Sequence, residues 1–292
     1  MFDWENLRHF VAVARAGTLS GAARVLNVDH ATVGRRVSLL ETALQVRLLD
    51  RLPRRCTLTA AGERILKLAA EMETHAYSIE RAIRAEQSDL FGKVVMSAPP
   101  VLVTNFFAKS TAAFHARYPG IQLSLSGEAH SVSLSRREAD VAVRLVRPKE
   151  PGNVTRHLGT LDFALYAAQN YMQQRTPAQW EFIAYETGLD GIPQQQWLYQ
   201  SAGNRPIVCR VGDITSQYVA ACSGVGVAGL PCFLPQTGDG LVRLDTDAQP
   251  FSREIWLVVH RELKRTPAIR AVMDFMIELV ESTPALQPTI HD

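Results

Sequence analysis

The sequence predicts an α/β protein in two parts, a small helical head and a larger body of alternating strands and helices. Apolar residues recur at helical spacing in the head, whereas short apolar strands alternate with helical stretches from residue 92 onward. A length of 292 residues with 47% hydrophobic and 21% charged residues suits two packed domains. We place the head at 1–60, a long linking helix at 61–91 and the body at 92–292.

Positive charge is concentrated in the head. Residues 1–67 carry eleven Lys and Arg against six Asp and Glu, whereas residues 91–292 carry 18 of each kind. The net charge of +2 hides this asymmetry. A basic head on a neutral body indicates a nucleic-acid partner, although a merely solvated basic surface would give the same count.

The head has the layout of a helix-turn-helix. A first helix starting near Trp4 is stopped by Gly17, and Thr18 or Ser20 can cap a second, short helix. Asp29 is a good N-cap for a third helix. That helix has one apolar stripe, formed by Val33, Val37, Leu40 and Leu44. The polar side opposite this stripe is the part that enters the DNA major groove in such a motif.

A small hairpin is predicted directly after the third helix. Segments 46–50 and 56–58 can pair, and the tip then carries Arg51, Arg54 and Arg55. A hairpin in this place is a wing whose arginines can contact phosphates or a narrow minor groove. The alternative is a generic helical domain whose arginines are only solvated.

Residues 60–90 predict a dimerising helix. Seven of eight positions at alternating spacings of four and three are apolar, which is typical of a coiled coil. These positions are Ile65, Ala69, Met72, Ala76, Ile79, Ile83, Glu86 and Leu90. A helix that packs only on its own domain is the alternative.

The body predicts a parallel sheet with a ligand site at one edge. Strands are expected at 94–96, 121–125 and 141–143, with a helix over 101–118 and a short one over 131–137. Ligands of such sheets bind beyond the carboxyl ends of the strands. The hydroxyl, backbone and guanidinium donors there suit a small anion or polar metabolite.

Several motifs together resemble the LysR-type transcriptional regulators. They are Ala22-Ala23-Arg24-Val25-Leu26, His30-Ala31-Thr32-Val33-Gly34-Arg35-Arg36-Val37, Leu40-Glu41, Leu48-Leu49-Asp50-Arg51 and Leu58-Thr59-Ala60-Ala61-Gly62-Glu63. The likeness is close over residues 2–67 and looser beyond. The chain departs from the family at Asp29, His30 and Gly34.

The resemblance implies a winged helix-turn-helix, a linker helix and a two-lobed body like a periplasmic binding protein. Lobe I would comprise 92–161 and 266–292, and lobe II 162–265, with an effector bound between them. The DNA contacts we expect are Thr18, Ser20, His30, Ala31, Thr32, Arg35, Arg36, Arg51, Arg54 and Arg55. The effector contacts we expect are Ser97, Pro99, Pro100, Ala129, His130, Arg144 and the loop of Gln200, Ser201 and Ala202.

The predicted function is that of a sequence-specific transcriptional regulator controlled by a small-molecule effector. Its partners would be double-stranded DNA, the effector and further copies of itself, as a homodimer through the linker helix and a family-like homotetramer. We expect a cytoplasmic protein without membrane association, cofactor or metal. Residues 224–229 satisfy GxGxxG, yet a helix precedes them, so we interpret them as a helix-to-strand turn.

Two rival functions remain open from the residues. One is a small-molecule-binding protein whose head serves assembly rather than DNA reading. The other is an enzyme that uses the α/β cleft, although the sequence offers no catalytic motif for it.

Overall fold

The structure is a computed structural model that describes residues 2–52, 55–86, 90–127, 139–148, 150, 152–245 and 250–288. The chain divides into two compact units, Met1–Arg81 and Ala82–Asp292. None of the helices within these described ranges is long and apolar enough to cross a membrane.

The first unit is a three-helix head with a two-stranded wing and the start of a long helix. Its elements are α1 (Trp4–Ala16), α2 (Leu19–Leu26), α3 (His30–Leu44), β1 (Leu49–Leu52), β2 (Arg55–Leu58) and α4 (Ala60–Glu86). The predicted stop at Gly17 is confirmed, since its backbone is left-handed with φ of 68°. Thr18, rather than Ser20, caps α2. The predicted stripe of α3 packs inward: Val33, Val37 and Leu40 are buried and Leu44 is half-buried.

The wing begins later than predicted. The sequence favoured a first strand from Val46, but β1 starts at Leu49, which pairs with Leu58. The Glu41 carboxylate accepts hydrogen bonds from the backbone N–H groups of Leu48 and Leu49, at 2.8 and 3.1 Å. These bonds hold the chain against the end of α3 until the hairpin begins. At the other side, the N–H of Cys56 donates to the carbonyl of Gly17 at 2.7 Å, which fixes the wing to α1.

Helix α4 begins where the wing returns to the head. The Thr59 hydroxyl oxygen accepts from the N–H of Gly62 at 3.0 Å and so caps the start of the helix. Gly62 lies so close to the wing that a Cβ there would sit 2.1 Å from the carbonyl oxygen of Leu48. Only glycine allows this approach of helix and strand.

The second unit is built on one mixed sheet. Its strands are β3 (Gly92–Ala98), β4 (Ile121–Gly127), β5 (Val141–Arg144), β6 (Asn153–Ala168), β7 (Phe182–Tyr185), β8 (Ile207–Val211), β9 (Val227–Pro231), β10 (Leu241–Arg243) and β11 (Phe251–His260). In the described part of the chain the order is β4-β3-β5-β11-β6-β9-β7-β8, with β10 beside β6. β3 is parallel to β4 and β5, and β7 is parallel to β8 and β9.

Two long strands connect the parallel group of β3, β4 and β5 with that of β7, β8 and β9, which gives a two-lobed domain. β6 and β11 pair antiparallel over most of their length, with a bulge next to Ile255. The boundary between lobes I and II that the resemblance placed after residue 161 therefore lies inside one continuous strand of 16 residues. Among the described residues, contacts between the lobes include one through Arg253 and one between the rings of Phe106 and Phe233 at 4.7 Å.

The helix after β3 is less regular than predicted. Instead of one α-helix it has a short turn α5 (Pro100–Leu102), a π-helical turn (Val103–Phe107), a 3₁₀ turn (Ala108–Ser110) and α6 (Thr111–Arg117). The Asn105 amide donates to the carbonyl of Val101, and the Ser110 hydroxyl donates to that of Phe106. These side chains compete for the carbonyls of the helix ladder and disturb its regularity. The short helix predicted over 131–137 lies outside the described residues.

The remaining helices cover the sheet. They are α7 (Gln169–Gln173), α8 (Pro193–Ala202), α9 (Ile214–Cys222) and α10 (Pro267–Glu281), with 3₁₀ turns at Pro177–Gln179 and Pro284–Leu286. The final helix α10 packs on the sheet through Ile269, Val272, Met273 and Met276, which recur at helical spacing and are buried. Residues 224–226 form the predicted turn from α9 into β9, residues 227–229 begin the strand, and Gly224 has φ of 80°.

Candidate nucleic-acid interface and ligand cleft

The outer face of α3 lies opposite its buried stripe. With 100° per residue, Ala31, Arg35, Ser38 and Thr42 fall on the side away from Val33 and Leu40, and all four are exposed. His30 is exposed in the first turn. Among the described residues the Arg35 guanidinium has no hydrogen-bond or ionic partner, so its donors point into solvent.

Arg36 is held by its own domain instead. Its guanidinium donates to the Asp3 carboxylate and to the side-chain oxygen of Asn6, both at 3.2 Å. Asp3 is also the N-cap of α1, because its side chain accepts from the N–H of Glu5. Arg36 therefore connects α3 to the start of α1, while about a third of its side chain stays exposed.

Two hydroxyls among the predicted DNA contacts, those of Thr18 and Thr32, make hydrogen bonds within the head. The Thr18 oxygen accepts from the N–H of Gly21, and the Thr32 hydroxyl donates to the Asp29 carboxylate at 2.7 Å. Asp29 also accepts from the N–H of Thr32, and these bonds lower the pKa of Asp29 because they stabilise its ionised form. Ser20 is exposed on the first turn of α2.

The wing contributes arginines at the strand ends. Arg55 opens β2 and is exposed, and Arg51 pairs in the backbone ladder with Cys56. Arg54 lies outside the described residues. The wing and α3 are positioned together by the bonds of Glu41 and Cys56, so that both form parts of one head.

In the body, the structure brings Ser97 and Arg144 together. The Arg144 guanidinium donates to the backbone carbonyl of Ser97 at 3.1 Å and to its hydroxyl oxygen at 3.3 Å. Both residues stand at the carboxyl ends of parallel strands, β3 and β5. Pro100 is close by, since a Cβ on Gly127 at the end of β4 would lie 3.5 Å from the Pro100 Cα, and Pro99 precedes it. Ala129 and His130 are outside the described residues.

The prediction of a loop at Gln200, Ser201 and Ala202 was wrong. These residues form the last turn of α8, which Pro193 opens and Gly203, with φ of 59°, ends. The Ser201 hydroxyl donates to the Trp197 carbonyl, and Ala202 is buried. They lie at the opposite end of α8 from Gln194, whose amide oxygen accepts from Arg253. The structure gives these three residues no contact with Ser97 or Arg144.

The main cleft residue that the sequence interpretation missed is Arg253. It stands on β11, where its guanidinium donates to the Leu145 carbonyl of lobe I at 3.2 Å and to the Gln194 amide oxygen of lobe II. Gln194 in turn donates to the Tyr185 hydroxyl at 3.4 Å. The signal was available: Arg253 interrupts the alternating apolar positions Phe251, Ile255 and Leu257 of a largely buried strand.

The electrostatics of Arg253 are unusual for an arginine. Burial lowers its pKa because desolvation disfavours the charged form. Its partners are a carbonyl and an amide, and no carboxylate of the described residues pairs with it. A partly buried cation without a carboxylate partner is suited to accept an anionic group.

Comparison with known proteins identifies both units. Residues 4–63 match a family model described as bacterial regulatory helix-turn-helix protein, lysR family, and residues 87–281 match one described as LysR substrate binding domain. The chain is 26% identical over 283 residues to the Mau operon transcriptional activator of Paracoccus denitrificans. This match covers 97% of this chain and 98% of that protein. It is 30% identical over 236 residues to the AhcY transcriptional activator HvrB of Rhodobacter capsulatus, covering 77% and 80%.

A solved structure supports the same fold. The full-length Vibrio cholerae virulence activator AphB, described as a member of the LTTR family, superposes with a TM-score of 0.59 at 22% identity. That superposition covers 95% of this chain and 99% of AphB. Architecture is therefore shared over almost the whole length of both chains.

Proposed function

This chain belongs to the LysR family of bacterial transcriptional regulators, and we propose that it reads DNA with the outer face of α3 and binds its effector between the lobes of its body. It is a regulator rather than an enzyme, with a helix-turn-helix head and an effector-binding body. The observation that carries the DNA part is the exposure of Arg35 on the face opposite the buried stripe.

Arg35 is the best candidate for a base contact. Its side chain is free of internal partners in the described structure, so both donor edges of the guanidinium are available for a bidentate contact with guanine. His30 and Ala31 lie on the same exposed end of α3. Arg55 and the other wing arginines would add phosphate contacts, whose contribution weakens steeply with salt.

Arg36 has a different role in this proposal. Its bonds to Asp3 and Asn6 fix the angle between α3 and α1, so it positions the reading helix. The exposed remainder of its side chain can still approach a phosphate. We therefore rank Arg36 below Arg35 as a DNA contact.

A gel-shift assay with fragments of the gene's own upstream DNA tests the DNA-reading role. Full-length protein should retard a specific fragment in the presence of excess unrelated DNA, and its affinity should fall strongly between 50 and 200 mM salt. If no upstream fragment is retarded preferentially, the rival function, a head that serves assembly only, is favoured instead.

For the effector, we propose a site around Arg253, Arg144 and Ser97. Arg144 and Ser97 end the parallel strands of lobe I, and Arg253 joins lobe I to α8 of lobe II. A ligand that accepts from Arg253 would compete with Gln194 and change the contact between lobes. This supports an anionic effector that couples binding to lobe geometry, provided that it binds one geometry more tightly than the other.

We also propose a homodimer through α4. Ile79 and Met72 on this helix are exposed large apolar residues, at 66% and 45%, whereas Ala69 packs into the head. Exposed apolar side chains at heptad-like spacing favour a partner helix. Two heads in a dimer could then contact half-sites one DNA turn apart, and a family-like tetramer would pair two dimers.

A further inference from the structure

A cavity of about 850 Å³ opens just after the end of β11, at the edge of the sheet away from the proposed effector site. It is lined by Val154, Arg261, Glu262, Lys264, Arg265 and Arg270. β5 begins at this end of the sheet, since Val141 pairs with Val259, and it ends at Arg144 in the cleft. The cavity is therefore separate from the effector site proposed above.

Three of the four cationic side chains that line this cavity have no ionic partner among the described residues. Arg261, Lys264 and Arg265 are exposed, and none of them makes a side-chain hydrogen bond or ion pair within the described part of the chain. The acid beside them, Glu262, also lines the cavity, and its carboxylate lies 3.6 Å from the ring of His260. Arg270 pairs with Asp274 on α10. Three positive charges within five residues thus face one concave surface with a single carboxylate, that of Glu262, among its lining residues.

The start of α10 adds a second feature beside these cations. Thr266 occupies its N-cap position, but its side chain caps no N–H group of the helix. The Thr266 hydroxyl is buried and has no hydrogen-bond partner among the described residues. An uncapped helix N-terminus carries partial positive charge and favours anions. The N-terminus of α10 thus directly follows Arg265 in the chain, and Arg270 of this helix lines the cavity.

We propose that this cavity binds a small polyanion with at least two phosphate groups. The volume lies within the range of small-molecule pockets, which favours a metabolite over a macromolecular surface. Three unpaired cations match a multiply charged ligand better than a single carboxylate, and planar guanidinium groups suit phosphate oxygens. The site would give the regulator a second ligand input, independent of the proposed effector.

Titration calorimetry of the full-length protein with inorganic pyrophosphate in 0.15 M salt tests the proposal. The double variant K264Q/R265Q should weaken pyrophosphate binding by at least ten-fold. The matched control K109Q/R243Q removes the same two charge types from exposed positions elsewhere in the body, and it should change the affinity less than two-fold. Both variants should fold, because all four side chains are exposed, and thermal unfolding checks this.

Three outcomes would overturn the proposal. The wild type could fail to bind pyrophosphate at millimolar concentration, or the control double variant could lose as much affinity as K264Q/R265Q, which would indicate only the general charge of the protein. Citrate could also bind as tightly as pyrophosphate, which would contradict the phosphate class. None of these results depends on whether the regulator binds its operator or its effector.

Discussion

The guanidinium of Arg36 on α3 donates a hydrogen bond to the carboxylate of Asp3, the N-cap residue of α1, at 3.2 Å. This pair joins the helix proposed to read DNA with the first helix of the head. Its neighbour Arg35, one residue earlier, has no such partner in the described structure. Two adjacent arginines thus take different roles because successive helix residues point 100° apart.

Replacement of Arg36 tests this positioning role. Arg36→Ala should lower the free energy of unfolding by about 0.2–1 kcal/mol, the range of a partly exposed ion pair. Asp3→Asn should lower it by a similar amount. The double variant should lose less free energy of unfolding than the two single variants together, because the two residues share one interaction. Urea unfolding of all three variants measures this coupling. Full additivity would show that the pair contributes nothing.

The contact between Gly62 and the wing predicts a steric effect. In Gly62→Ala the new methyl group would sit 2.1 Å from the Leu48 carbonyl oxygen, so helix and wing must separate. We expect a loss of about 1–3 kcal/mol in the free energy of unfolding, as for other overpacked sites.

Gly34→Ala is the matched control on another helix. Its Cβ would meet only the Leu19 Cδ1, at an ordinary 3.8 Å. Alanine inside a helix should stabilise by about 0.5–1 kcal/mol. Equal effects of the two substitutions in thermal or urea unfolding would contradict the close approach at Gly62.

The cap of α3 predicts a specific acid dependence. Hydrogen bonds from Thr32 lower the pKa of Asp29 in the folded state, so the stabilisation is present above the ordinary Asp pKa and is lost as pH falls through the folded-state value. Asp29→Asn keeps a capping oxygen but does not titrate. The stability of wild type relative to Asp29→Asn should therefore be constant above about pH 5 and decline below about pH 4.

A second carboxylate variant provides the control for that series. Asp50 is exposed in β1 and caps no helix, so Asp50→Asn should not reproduce the change in acid dependence. A difference between wild type and Asp29→Asn that does not vary from pH 7 to pH 3 would disprove the role of the cap.

Because Arg253 is a partly buried cation, we expect the body to bind anionic effectors. A panel of small carboxylates, including acetate, succinate and benzoate, should contain members that raise the melting temperature of the wild type. Arg253→Gln should remove that stabilisation because it removes the cation, and Arg253→Lys should restore part of it. Arg243→Gln, at an exposed site of lobe II, is the control. Stabilisation by the neutral amides of the same acids, or its persistence in Arg253→Gln, would exclude this anchor.

The head was predictable in detail because its signals are local. Asp29, Gly17 and Thr18 act on backbone groups within three or four residues, and the inward stripe of α3 follows from helical periodicity alone. The start of the wing was missed because Glu41 binds the backbone of Leu48, seven residues away, and no local pattern announces that bond.

The cleft was less predictable because it is assembled from distant segments. Arg253 meets Leu145, 108 positions earlier in the chain, through the pairing of β11 with β5. Ser97 and Arg144 were predicted to share one site at the carboxyl ends of the strands, and the structure adds the hydrogen bonds between them. The assignment of Gln200 to a loop failed because α8 continues until Gly203 ends it.

The most direct test of the account measures operator affinity of Arg35→Ala by fluorescence anisotropy. Loss of one bidentate base contact, worth about 1–3 kcal/mol, predicts an affinity lower by about 10- to 100-fold, with light scattering showing an unchanged oligomer. Arg64→Ala, which removes an equally exposed arginine from α4, should stay within about three-fold of wild type. If Arg35→Ala bound the operator as tightly as the wild type, the outer face of α3 would not be the reading surface.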